Sequence, residues 1–368
     1  MLLVFTVILV ALIFTYTNGF HDTANSIATV VDTKVLTPRQ AILLATVTNL
    51  LGAMTGAAVA KTIASGLVDT TGKFIPPSAS SEMLICALVA AIAWNLVTWY
   101  FGLPSSSSHA LVGGLCGAAL AAAHGDWHAV IWSKMPEAGQ HWWTGGGILF
   151  KIVIPMILSP VLGFVIAFVL MAVLYISLQN WRPLTVTRTF GRAQLFSSAY
   201  MGFSHGTNDA QKTMGIIALA LAAATQAGTF DHLPAWLDFL RTNGAADPKN
   251  QSIALWIKIL CALTMAAGTA IGGWRIIRTL GHKLVKLQPV HGFAAETAGA
   301  TVLLGTAMLG MPVSTTHVIT SSIMGVGAAK RLSAMKWILA EQIVWAWIFT
   351  LPVSAAVAYG LVKLADMF

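Results

Sequence analysis

Apolar residues run along this chain in long blocks, separated by short polar stretches. A helix that crosses a bilayer needs about 20 such residues. Ten blocks approach or exceed that length: 2–31, 38–60, 82–101, 104–123, 147–176, 193–224, 251–273, 291–310, 312–329 and 336–365. The pattern predicts an all-α polytopic membrane protein. The first and sixth blocks are too long for a simple helix and carry Asp22 and Asp209 near their middles. They are expected to be broken helices, or a helix followed by a re-entrant piece. The fourth and ninth open on Pro104 and Pro312 and are rich in Gly and Ser or Thr, which predicts re-entrant, hairpin-like segments.

The polar interruptions are not scattered. Gly19-Phe20-His21-Asp22-Thr23-Ala24-Asn25-Ser26 is answered by Gly206-Thr207-Asn208-Asp209-Ala210-Gln211-Lys212-Thr213. Pro104-Ser105-Ser106-Ser107-Ser108-His109 is answered, in the same order, by Pro312-Val313-Ser314-Thr315-Thr316-His317. Differences in loop length absorb the unequal spacing of the two copies. Each copy holds five segments, and an odd number makes the second enter from the opposite face. The expected organisation is therefore two inverted repeats, 1–178 and 190–366. Internal duplication with polar breaks in both copies is a mark of secondary transporters.

Composition narrows the picture. The chain is 57% hydrophobic and only 9% charged, against about 25% charged residues in soluble domains. The first basic residue is Lys34, so the start of the chain lacks a signal-peptide n-region and reads as a retained span. The net charge of +8 lies in short loops, where it sets orientation and does not imply nucleic acid. Lys34, Arg39, Arg182, Arg188, Arg192, Arg275, Arg278, Lys283, Lys286, Lys330, Arg331 and Lys336 fall on one face, expected to be cytoplasmic; Asp69, Glu82, Asp126, Glu137, Asp231, Asp238 and Asp247 fall on the other. Cys86, Cys116 and Cys261 suit core packing, with neither a disulfide framework nor a structural metal site. Trp127, Trp132, Trp142 and Trp143 suit a headgroup-level belt, and His124, His128 and His141 beside them read as interfacial. Gly52-x-x-x-Gly56 and Gly268-x-x-x-Gly272 predict close helix approach within the chain.

Two sets of residues carry chemistry. A carboxylate in hydrocarbon is costly and is a functional candidate by default. Asp22 with Asn25, and Asp209 with Asn208, supply hard oxygen ligands for a proton or another cation in each half. His21 could take a proton or hold Asp22 in place. Lys212 follows Asp209 by three residues, the spacing of a structural ion pair, with a direct anion contact as the second reading. Gln211 and Glu296 are supporting candidates. Pro104 and Pro312 free the amides that follow, and Ser105, Ser106, Ser107, Ser108, Ser314, Thr315 and Thr316 add hydroxyls at the start of a helix. A helix N-terminus with free amides is an oxyanion site; ordinary capping is the plainer reading of either copy alone. His109 and His317 close each run, as anion donors or as locks on the hairpin.

Asn18 to Val31, Gly202 to Gly215, Gly102 to Gly117 and Gly310 to Gly325 closely resemble the signatures of the inorganic phosphate transporter (PiT) family, most of all its bacterial low-affinity members. The resemblance covers nearly the whole chain. It implies symport of inorganic phosphate with a cation through two inverted repeats in a homodimer in the bacterial inner membrane. The cation it implies for the bacterial type is a proton first, with sodium, which some members use, as the second candidate, and phosphate travels free or as a neutral complex with a divalent metal. By the motif match, Asp22, Asn25, Asn208 and Asp209 correspond to the cation region, and the Ser and Thr runs to phosphate contacts. Many members carry Asn-Asp in both copies; here the first is His21-Asp22, which weakens a sodium site there. A sulfate or other oxyanion permease on the same scaffold is the alternative. A hydrolase finds no support, since adjacent Ser108 and His109 do not make a nucleophile–base pair and no Gly-x-Ser-x-Gly elbow is present. A channel suits paired sites less well than a carrier does.

Overall fold

The computed structural model describes residues 1–69, 73–241, 253–272, 287–330 and 337–367. Among these lie eleven α-helices: α1 Leu2–Asp32, α2 Pro38–Ala53, α3 Ala58–Ser65, α4 Pro77–Phe101, α5 Ser107–Ala122, α6 Ile154–Leu178, α7 Pro183–Gln226, α8 Leu255–Ile271, α9 Pro289–Met308, α10 Thr315–Lys330 and α11 Trp337–Ala365. They follow the ten apolar blocks in order. Leu9, Leu43, Ile157, Val161 and Ile348 are exposed, as expected where the surrounding solvent is lipid. Among the described residues, four helices are long and apolar enough to cross a membrane, and five if the bent pair α2 and α3 counts as one span. The chain is an all-α integral membrane protein.

The breaks do not fall where the sequence placed them. α1 runs unbroken through Asp22, and α7 runs unbroken for 44 residues through Asp209. The polar side chains at these positions find partners across helices, so the backbone keeps its own ladder. Gly19 and Gly206 serve approach rather than unwinding: a side chain at Gly19 would strike the Met265 carbonyl of α8, and one at Gly206 the Asn49 backbone of α2. The break lies instead between α2 and α3, which meet at 66°. Gly56 takes a left-handed φ of +72° there, so the expected Gly52–Gly56 helix face is cut. Gln211 closes the break from α7: its Oε1 accepts the Val59 and Ala60 amides at 2.9 and 3.3 Å, at the start of α3.

Packing crosses between the two ends of the chain. α2 lies along α7 and α1 along α8; α5 lies along α11 and α6 along α10. Each contact is seated on a small residue. Gly52 meets the Phe203 carbonyl, Gly268 the Tyr16 carbonyl, Gly117 the Ala355 backbone and Gly325 the Phe164 backbone. Elements of one half are thus held by elements of the other.

Pro104 to Ser106 and Met311 to Ser314 approach α5 and α10 without helical structure. Ser106 Oγ caps α5 by accepting from the His109 amide at 3.1 Å, and Ser314 Oγ accepts from the His317 amide at 3.2 Å in the same way. At 16 residues α5 is about 24 Å long, short of a hydrocarbon core of about 30 Å. The three cysteines are buried free thiols. In the loop after α5, His128 pairs with Asp126 at 2.9 Å and His141 stacks on Trp143. Arg275, Arg278, Lys283, Lys286, Arg331, Lys336 and Asp247 lie outside the described residues.

Candidate functional site

The two matched Asp residues come together in the interior. α1 and α7 lie side by side, and polar positions along them face one another: Thr15 donates to Thr213 at 2.7 Å and Asn18 to Asp209 at 3.3 Å. Asp22, His205 and Asp209 each offer a ligand atom, and these atoms lie within 4.8 Å of one another. All three residues are buried.

Asp22 is held by hydroxyls from the first turns of both α5 and α10. Its Oδ2 accepts from Ser107 at 2.6 Å, and its Oδ1 accepts from Thr316 at 3.3 Å and from His21 Nδ1 at 2.8 Å. One turn on, Asn25 Nδ2 donates to Thr315 at 3.1 Å and Thr316 at 2.9 Å. The starts of α5 and α10 therefore converge on one face of α1. Ser108 ties them together by donating to the Val313 carbonyl at 3.0 Å. Ser105 stands one step back, donating to Thr98, which touches His21 Nε2 at 3.3 Å. Ser106 and Ser314 cap their helices, as described above.

Asp209 has different company. Lys212 Nζ donates to its Oδ1 at 2.6 Å, the ion pair that the three-residue spacing predicts. Asn18 Nδ2 and His205 Nε2 lie at 3.3 and 3.4 Å from its Oδ2. Asn208 is buried beside it with neither amide atom bonded. Asn18 Oδ1, Asn25 Oδ1 and His205 Nε2 likewise have no donor. Among the described residues here, two carboxylates and several unpaired acceptors are accompanied by one ammonium, Lys212, which is bonded to Asp209. Burial of that kind is tolerated when a positive species completes it.

Four predicted residues stand apart from the carboxylates. His109 and His317 meet each other, ring centroids 4.6 Å apart and edge to face, with His317 stacked on Trp347 at 3.9 Å. The two rings bring the starts of α5 and α10 together. Glu296 on α9 forms a separate cluster, accepting from Thr29 of α1 and from Ser197 and Gln194 of α7. Gln211 acts through the α2–α3 break. His205 escaped the sequence reading. Its place four residues before Asp209, on the same helical face, was the available signal.

A family model described as "Phosphate transporter family" matches residues 18–358. The chain is 41% identical to a probable low-affinity inorganic phosphate transporter of Bacillus subtilis, over 99% of this chain and 98% of that one. It is 40% identical to a probable low-affinity inorganic phosphate transporter of Rhizobium meliloti, over 98% and 96% of the two chains. A solved structure described as "The sodium-dependent phosphate transporter" superposes with a TM-score of 0.79 at 25% identity, covering both chains completely.

Proposed function

The chain belongs to the phosphate transporter family, and from that premise we propose that it imports inorganic phosphate together with a cation by alternating access. It is a transporter and not an enzyme, as the family and the names of its relatives indicate. The observation that carries the coupling is the double use of Asp22. Its carboxylate holds Ser107 and Thr316, one hydroxyl from each helix start. A cation arriving at Asp22 competes for the same oxygens and releases those hydroxyls. They then join the free amides of the two helix starts as donors for phosphate. Cation first, anion second follows from this exchange, and the promotion is reciprocal.

Ser105 to Ser108 and Ser314 to Thr316 form the anion side, Asp22, Asn25, Asn208 and Asp209 the cation side. A proton is the first candidate for the cation, because an imidazole stands beside each carboxylate. Sodium is the second, favoured by the carboxylate and amide oxygens and by the solved relative described as sodium-dependent. The reciprocal packing of α2 on α7 and α8 on α1 supports reading 1–178 and 190–366 as two intertwined inverted repeats. The membrane is the bacterial inner membrane, with the basic loops cytoplasmic and the carrier a homodimer.

Labelled phosphate uptake into proteoliposomes, with proton and sodium gradients imposed one at a time, tests the scheme. Uptake is expected to be saturable, driven by one of the two gradients and resistant to excess sulfate. Equal competition by sulfate would replace phosphate with a general oxyanion, and uptake indifferent to both gradients would remove the symport reading.

A further inference from the structure

His205 is wholly buried, and its two ring nitrogens have different surroundings. Nδ1 lies 3.0 Å from Asn49 Oδ1 on α2. Asn49 Nδ2 lies 3.2 Å from Thr269 Oγ1 on α8. The direction of this chain can be read from its far end. The Thr269 hydroxyl donates its one hydrogen to the Met265 carbonyl at 2.9 Å. Towards Asn49 it is therefore an acceptor, and the atom facing it is the amide nitrogen. Asn49 then presents its carbonyl oxygen to His205, and only an N–H can sit opposite. His205 Nδ1 carries the hydrogen, and the lone pair of the neutral ring falls on Nε2.

Nε2 has no donor, and it points into the space shared with Asp22 and Asp209. A lone pair 3.4 Å from a carboxylate oxygen is repulsive unless something positive lies between them. Asn18 Oδ1, unpaired on the opposite helix, is a further acceptor beside Asp209. We propose that Asn49 and Thr269 are positioning residues for cation capture: they hold His205 in the one tautomer whose Nε2 accepts the coupling cation between Asp22 and Asp209. This inference rests on the coupled-transport reading above. It extends the cation site to α2 and α8, neither of which carries one of the duplicated Asp or Ser/Thr motifs, and it makes the close approach of Gly206 to Asn49 part of the site's construction. Metal-bound imidazoles are oriented in the same manner, by a fixed hydrogen bond to the other nitrogen. A metal ion and a proton share the need for this acceptor, so the experiment must tell them apart.

The test uses the full-length carrier in proteoliposomes, with initial rates of labelled phosphate uptake measured against sodium and against pH in separate series. Asn49→Leu is expected to raise the cation concentration for half-maximal uptake by about tenfold. At saturating cation its half-saturation for phosphate should stay near wild type, a separation that general loosening of the fold would not produce. Thr269→Val should give a smaller rise in the same curve, and Thr269→Ser, which keeps the hydroxyl, should restore it. This pair carries the test if Asn49→Leu does not fold. A shift in the sodium series identifies a metal ion at Nε2; a shift in the pH series identifies a proton. Unchanged cation curves in Asn49→Leu and Thr269→Val, where wild type responds to a gradient, would overturn the inference alone. Equal losses in the cation and phosphate curves would also overturn it. A wild type that ignores both gradients would overturn the coupled-transport reading and this inference with it.

Discussion

Asp22 and Asp209 occupy matching places in a duplicated motif, yet their neighbourhoods differ in kind. Asp22 accepts from two hydroxyls and an imidazole, and its contacts come from α5, α10 and its own helix. Asp209 accepts from an ammonium three residues along the same helix and from one amide of α1. Hydroxyls can turn to other partners without leaving a charge behind. A buried ammonium cannot. Under the proposed scheme this difference gives exchange to the first site and standing charge compensation to the second. The carboxylates match between the two motifs, while their neighbours differ: His21 stands where the second motif has Asn208, and Lys212 where the first has Asn25.

The largest effect should come from the exchangeable site. Asp22→Asn keeps the shape but removes the charge that gathers Ser107, Thr316 and His21. Each such hydrogen bond to a charged group is worth about 1.5–3 kcal/mol, so coupled uptake is expected to fall by roughly 100-fold or more. Uptake in proteoliposomes with the driving gradient imposed is the measurement. Wild-type flux would break the comparison at its stronger end.

Asp209→Asn should fail differently. It strands Lys212 in the interior, and breaking a buried pair from one side costs about 3–5 kcal/mol. The expected result is a loss of folded protein, read as a lower unfolding temperature in detergent. Asp209→Asn combined with Lys212→Met removes both charges and should recover most of that stability without recovering coupled uptake. If the single variant is as stable as wild type, Lys212 is not the compensating charge.

Thr316→Val and Ser107→Ala sharpen the exchange itself. Both leave Asp22 charged and remove one donor that is to pass from carboxylate to phosphate. Half-saturation for phosphate should rise by about tenfold in each. The cation should bind Asp22 no more weakly than before, because a competitor for the same oxygen has gone. A weaker cation response in these variants would count against the shared use of Asp22.

Much of this was legible in the chain. The apolar blocks located the helices because hydrocarbon tolerates few alternatives, and the paired motifs brought Asp22, Asn25, Ser107, Thr315 and Thr316 to one place. The Asp209–Lys212 pair followed from helical spacing. What misled was the assumption that a polar residue in a membrane helix needs an unwound backbone. Gly19 and Gly206, inside the motifs expected to unwind, instead let α8 and α2 pass close by. The actual break at Gly56 is stabilised by Gln211, 155 positions away in sequence, and no local pattern reports that contact. Asn49 and Thr269 were invisible for the same reason. Single polar residues in apolar blocks gain meaning only through the helix they face.

The two halves are most alike at Ser106 and Ser314, and that likeness yields the smallest effect. Each hydroxyl oxygen accepts the amide of the histidine three residues on, at 3.1 and 3.2 Å. Loss of such a cap costs about 1 kcal/mol. Ser106→Ala and Ser314→Ala should therefore each lower the unfolding temperature slightly and by similar amounts. The neighbouring amides point toward the lead-in whether or not the cap is present, so phosphate half-saturation should change less than in Ser107→Ala. Suppose instead that Ser106→Ala weakened phosphate as strongly as Ser107→Ala while Ser314→Ala did not. The asymmetry seen around the carboxylates would then extend to the helix starts, and the first lead-in would be the dominant anion donor.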